Sequence, residues 1–135
     1  MLTNMRICSN VPAQSIVQTA LGGHQSVNDY LVPGGRIYEQ REYIYNALNS
    51  IDGITAVKPK AAFYIFPKID AKKFNIRNDE QFALDLLHDE KLLIVQGTGF
   101  NWKDPDHFRV VYLPRVEVLK GAVDKMTHFF SHYRQ

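Results

Sequence analysis

Apolar residues recur at three- and four-residue intervals in some stretches of this chain and in short β-prone runs in others, and the two spacings separate helices from strands. Ile37, Ile44, Tyr45, Leu48 and Ile51 share one side of a helix that opens at Pro33-Gly34-Gly35 and closes at Asp52-Gly53. Phe82, Ala83, Leu86 and Leu87 cluster on one face of another, with Asn78 as its N-cap; Asp70 is a second candidate cap. The longest stripe, Leu119, Ala122, Val123, Met126, Phe129, Phe130 and Tyr133, predicts a final helix from about Arg115 to Tyr133. That stripe reads as core, not as a cofactor-binding face. Ile54 to Lys58 and Ala62 to Phe66 are β-prone runs joined through Pro59-Lys60, which predicts a hairpin of firm register, and Leu92 to Val95 and Phe108 to Leu113 supply two more strands. The sum is an α+β two-layer sandwich, a small and mostly antiparallel sheet with helices packed on one face.

The first 21 residues fit this layer scheme less well. Pro12 must start or kink a segment, so the pattern predicts a helical lead ending near Cys8 and a second helix from about Pro12 to the Gly22-Gly23 stop. Met1, Leu2, Met5, Ile7 and Val11 are apolar with no evident layer to pack against, as expected of a piece of something longer.

Composition narrows the function classes. A chain of 135 residues is one domain's worth and can bury about two thirds of its unfolded surface without a disulfide or metal. The formal charge of +2 is mild and the basic residues are scattered, with Lys72-Lys73 the only adjacent pair, so a nucleic-acid partner through Lys72, Lys73 and Arg77 is not expected. The single cysteine, Cys8, excludes an internal disulfide framework, favours a cytoplasmic setting and is expected to be a small buried residue. No apolar run approaches the roughly 18 residues of a membrane span. His24, His88, His107, His128 and His132 show no metal-ligand spacing beyond His128 and His132 one turn apart, which reads as surface.

Arg109 is the residue with the most chemistry in its position. In the strand from Phe108 it shares a face with Val111, opposite Phe108, Val110 and Tyr112. A guanidinium keeps its charge, and its planar fork of donors suits a carboxylate held by two parallel hydrogen bonds. Spacing alone leaves open the blander reading of an arginine in water or paired with a structural acid.

Three motifs in order bear on that choice. KPKAAFYIFPKI (Lys58 to Ile69) is similar to a Pro-x-Gly-Ala-Phe-Tyr-x-Phe strand, LLIVQGTGF (Leu92 to Phe100) to a Val-x-Pro-Gly-x-x-Phe turn, and FRVVYLPR (Phe108 to Arg115) to a Leu-Arg-Leu strand. Together they resemble the C-terminal part of fold-type I pyridoxal-phosphate aminotransferases of class I and II, over essentially the whole chain. NVPAQSIVQTALGG and VPGGRIYEQR resemble the alanine-forming, glutamate-pyruvate branch of that family. Ala61 and Gln96 depart from the family's frequent Gly and Pro. The resemblance implies residues 1–21 as a lead-in from the interdomain region and 22–135 as the small domain. It also implies pyridoxal 5'-phosphate held mainly by an absent large domain, amino-acid and 2-oxo-acid substrates (alanine and pyruvate, glutamate and 2-oxoglutarate), a homodimer when intact, and Arg109 as the grip on the substrate carboxylate.

Tyr64 and Phe63 are either plain strand core or part of the mouth of that site. Gly97 and Thr98 are expected to shape the pocket, an anion-binding backbone nest being the alternative to a simple connection. Arg36, Arg41, Glu39 and Glu42 read as a solvated or interface face, and Arg115 is expected to pair with an acid elsewhere. The family's Schiff-base lysine follows a serine directly or three residues later (Ser-Lys or Ser-x-x-Lys), and no lysine here does so. No residue is therefore nominated as catalytic, and the chain alone is expected to be inactive. A competing reading is a stand-alone amino-acid-binding regulatory or subunit-interaction domain that uses the same arginine.

Overall fold

A computed structural model describes residues 9–135; the predicted helical lead, and Cys8 with it, fall outside them. Helix α1 (Val11–Gly22) starts as the sequence predicts, with proline in its first turn and the Asn10 side chain accepting from the Ala13 N–H at 3.3 Å. It buries none of its residues, and neither does the short α2 (Val27–Leu31). Packing begins at Gly35, where a Cβ would stand 2.5 to 2.7 Å from backbone atoms of Asp29 and Tyr30, so that only glycine fits. From there α3 (Arg36–Asn49) lays Gln40, Ile44 and Leu48 into the core.

The predicted hairpin does not form. β1 (Ile54–Thr55) pairs antiparallel with β3 (Lys68–Ile69), while β2 (Tyr64–Ile65) pairs with β5 (Phe108–Val111), so the two runs join different partners. The cause is local. Asn49 bonds both backbone groups of Ala56, accepting its N–H at 2.9 Å and donating to its carbonyl at 3.3 Å, and so removes them from any ladder. Pro59 lacks an N–H, and Ala62 sits at φ 56°, so the connection is an open excursion instead of a tight turn. β4 (Val95–Gln96) pairs along the other side of β5, giving the order β2-β5-β4, and an antiparallel bridge between Lys68 and His107 ties the two-stranded sheet to this one.

Helices α4 (Asp79–Glu90) and α5 (Val116–His132) complete the helical layer. Asn78 caps α4 as predicted, accepting from Glu80 N and Gln81 N, whereas Asp70 caps only a turn through Lys72 N and Lys73 N. The α5 stripe is core: Leu119, Val123, Met126, Phe129, Phe130 and Tyr133 are buried and Ala122 partly so. Phe82 lies against Phe108, Phe129 and Phe130 with ring centroids 5.7 to 6.1 Å apart, closing the layer between α4, α5 and the sheet. Both of the last two strands are shorter than predicted. β4 starts only at Val95, with Leu93 exposed, and β5 stops at Val111, beyond which the Leu113 and Pro114 carbonyls accept from the buried Gln40 amide at 3.1 and 2.6 Å and the chain turns into α5. The α+β two-layer class is as the sequence predicts.

Candidate functional site

The centre strand β5 presents Arg109 and Val111 on one face while Phe108, fully buried, points into the core. Tyr64 is registered opposite Val111 on β2, which makes it a diagonal cross-strand neighbour of Arg109 on the same face. On the other side, Val95 of β4 lies opposite Arg109, and the 3-10 turn Gly97–Phe100 that follows β4 folds Phe100 back over it. The guanidinium carbon of Arg109 lies 4.6 Å from the Tyr64 ring centroid and 4.3 Å from that of Phe100. Two rings thus hold one cation between them.

The cation has no counter-ion. Arg109 Nε is buried without an acceptor, and no carboxylate pairs with the guanidinium among the described residues. The reading of Arg109 as one half of a structural ion pair is therefore set aside. A buried donor left without an acceptor costs about 1–3 kcal/mol, and stacking on two rings returns part of that while leaving the in-plane edge of the fork without a partner. Tyr64, Phe100 and Phe63 are 39%, 44% and 37% exposed, so these rings form a wall and not core. Phe63 leans on Tyr64 with centroids 4.7 Å apart.

Gly97 and Thr98 are drawn together with Arg109, and their N–H groups are already used. Gly97 N donates to the His107 carbonyl at 2.8 Å, and a Cβ at Gly97 would stand 2.8 Å from that same oxygen, so glycine there lets β4 close onto β5. Thr98 N and Oγ1 donate to the two carboxylate oxygens of Asp79 at 2.9 and 2.7 Å. These two residues make no anion nest; they fix the turn that carries Phe100. Asp79 is 2% exposed at the first turn of α4 and was not a sequence candidate. Its only signal was an acid directly after a cap residue, which is common at helix starts for dipole reasons.

Beyond Phe100 the wall continues. The Phe66 ring meets Phe100 edge-on at 6.3 Å and stacks on His107 at 5.0 Å, with Trp102 4.4 Å from His107. Asp106 anchors this group, accepting from His107 Nδ1 at 2.6 Å and Trp102 Nε1 at 3.0 Å with Lys68 Nζ 3.4 Å away. Burial pushes the Asp106 carboxyl up, but those donors and charges outweigh it and hold it below the usual carboxylate range.

The remaining candidates lie elsewhere. Arg41 pairs with Glu42 at 3.2 Å, and Glu42 also binds Lys58 at 2.7 Å, which holds the Glu42 carboxyl below its usual range. Arg36 donates to the Leu113 carbonyl at 2.7 Å. Arg115, expected to find an acid, is exposed at the N-cap of α5 with no ion pair among the described residues, because the connection set by Gln40 leaves it facing outward. His128 bonds Glu90 at 2.6 Å on the surface, and no cluster of potential metal ligands forms among the described residues. No helix of the described residues is long and apolar enough to cross a membrane.

Comparison with known proteins gives this geometry a setting. The glutamate-pyruvate aminotransferase AlaA of Haemophilus influenzae is 57% identical over all 135 residues of the chain, which cover 33% of that protein. The crystal structure of an aminotransferase from Escherichia coli superposes with a TM-score of 0.90 at 54% identity, covering 100% of this chain and 33% of that one. The alanine aminotransferase from Pyrococcus furiosus gives 0.82 at 40% identity, with 96% of this chain and 32% of that one covered. The chain thus spans about a third of the length of the relatives it matches. A family model described as aminotransferase class I and II matches residues 2–125, and the chain belongs to that family.

Proposed function

We propose that this chain is the substrate-carboxylate-binding part, the C-terminal small domain, of a pyridoxal-phosphate-dependent aminotransferase that passes an amino group between alanine and pyruvate and glutamate and 2-oxoglutarate. The observation that carries the reading is the unpaired guanidinium of Arg109, flanked by two rings that leave its edge open to a planar anion. The substrate pair rests on the names of the relatives, glutamate-pyruvate and alanine aminotransferases.

The described residues do not fit the cofactor. Lys58, Lys68 and Lys73 are paired with Glu42, Asp106 and Asp52, and Lys91 and Lys125 donate to the His88 and Glu90 carbonyls. Lys60, Lys72, Lys103 and Lys120 are exposed, and among the described residues the cation over the Tyr64 and Phe100 rings is Arg109, not a lysine. The cofactor and its lysine belong, in this reading, to the portion of the enzyme that the chain does not span, and the dimer contacts and the 22–135 domain boundary are parts of the same proposal. What this chain supplies is position. Two hydrogen bonds from Arg109 to the carboxylate fix its plane and the direction of the Cα–carboxyl bond, so that holding the amino group as well sets the direction of the Cα–H bond, while the apolar rings beside it limit water at the carboxylate.

The test is a coupled assay of the full-length enzyme. Alanine-dependent conversion of 2-oxoglutarate to glutamate is the expected result, and its absence across a panel of amino acids would reject the reading. Calorimetry of the 135-residue chain separates the regulatory alternative, which requires tight binding of a free amino acid where the aminotransferase reading expects only weak binding.

A further inference from the structure

The two rings that hold Arg109 are positioned by different means. Tyr64 is fixed by strand register, opposite Val111 in the sheet. Phe100 lies outside the sheet, 44% exposed, at the end of a four-residue 3-10 turn, where nothing in the strand ladder determines its place. Beyond the Gly97 to His107 backbone bond at its start, that turn is held by a side chain from another layer. Asp79, buried at the start of α4, uses both carboxylate oxygens on one residue of the turn, accepting from the Thr98 N–H at 2.9 Å and the Thr98 hydroxyl at 2.7 Å. This carboxylate has both oxygens on Thr98 and makes no ion pair with Arg109, so it is a clamp on the loop that carries Phe100. Asn78, capping α4 through Glu80 N and Gln81 N, fixes in turn where Asp79 stands.

We propose that Phe100 is a positioning residue for Arg109, and that the buried Asp79, acting through Thr98, holds Phe100 over the guanidinium so that its fork keeps the orientation a carboxylate requires. The inference rests on the role of Arg109 proposed above. The Phe100 ring, 4.3 Å from the guanidinium carbon, restricts the guanidinium to a plane between two faces, so that its free donors point out along the edge. Loss of the ring frees the side chain to rotate and lets water reach the buried Nε, and binding then pays for ordering that the ring had supplied in advance.

The experiment measures competitive inhibition by propionate, a carboxylate without an amino group, in the full-length holoenzyme. Phe100→Leu is expected to raise the propionate inhibition constant about 5- to 30-fold, the size of one desolvated cation–ring contact, and Phe100→Tyr to restore it. Thr98→Val, which removes only the hydroxyl bond to Asp79, should weaken propionate by a smaller factor in the same direction. Asp79→Asn should weaken it as well, and in a double-mutant cycle with Phe100→Leu its effect should largely vanish, because Asp79 acts through that ring. Should Asp79→Asn not fold, the same cycle is run with Thr98→Val. An unchanged inhibition constant in Phe100→Leu, or full additivity in the cycle, overturns the inference while leaving the Arg109 reading intact, provided Arg109→Ala still loses propionate. If Arg109→Ala binds propionate as the parent enzyme does, both fall.

Discussion

Arg41 and Arg109 offer the same group in similar surroundings, yet among the described residues only Arg41 has a carboxylate partner. Each has a buried Nε with no acceptor, and each guanidinium lies over an aromatic ring, Tyr38 at 5.1 Å for Arg41 and Tyr64 and Phe100 for Arg109. Arg41 has Glu42 beside it in sequence and at 3.2 Å in space, and Lys58 shares the same carboxylate. Arg109 also has an acid three residues away in sequence, Asp106, but that carboxylate is taken by His107, Trp102 and Lys68. A partly buried arginine is left open to an outside anion when its nearby acids are committed elsewhere. The lesson is about who holds the carboxylates, and burial or ring contact alone would not separate the two sites.

The comparison breaks most visibly at Arg109 itself. Arg109→Ala in the full-length enzyme is expected to lower kcat/KM for amino-acid substrates by about 2–4 kcal/mol of transition-state stabilisation, read by steady-state kinetics. Arg109→Lys should recover part of this, since it keeps the charge but gives up the planar fork and the ring stacking. Next in size comes Asp106→Asn, which weakens the anchor of the His107–Trp102 wall and is expected to cost about 1–2 kcal/mol of stability in a denaturant titration. The sign with pH follows from its depressed folded pKa. The stabilisation is fully present above the unfolded value near 3.9 and is lost as pH falls through the lower folded one, so parent and variant should converge only in that acid range. Removing the Asn78 cap with Asn78→Ala should cost about 1 kcal/mol by the same titration. Arg41→Lys is the smallest change, a shift of a few degrees at most in thermal midpoint with no change in substrate selectivity; a selectivity change there would mean that the two arginines are not the distinct cases drawn above.

Much of this fold was legible because its signals are local. The α5 stripe, the Asn78 cap and the Pro12 start of α1 each depend on residues within a turn of one another, and each stands where the sequence places it. The failed hairpin shows the limit. Ile54 to Lys58 and Ala62 to Phe66 are adjacent in sequence and β-prone, but Asn49, a residue on α3, takes the backbone groups of Ala56, and β3 and β5 offer the longer-range pairings. The site divides the same way. Arg109 and Tyr64 could be singled out from strand position and motif, and Phe100 closes the turn motif, but that Phe100 covers Arg109 and that Asp79 holds its turn follow only from a turn and a helix start meeting across the layers.

The exposed apolar residues of α1 and α2 set the other boundary of the account. Val11, Ile16, Leu21 and Val27 are each more than half exposed, in contrast to the filled stripe of α5, and in a longer aminotransferase they are the surface that further protein would be expected to cover.

Arg109, in the proposed role, discriminates substrates by their carboxylate. The most direct measurement is the ratio of kcat/KM for L-alanine to that for ethylamine, which differs from alanine only by that group, in the full-length enzyme and its Arg109→Ala variant. The ratio is expected to fall by about 30-fold or more in the variant, through loss of the alanine rate. A ratio that stays at the parent value, with both substrates affected alike, would contradict it.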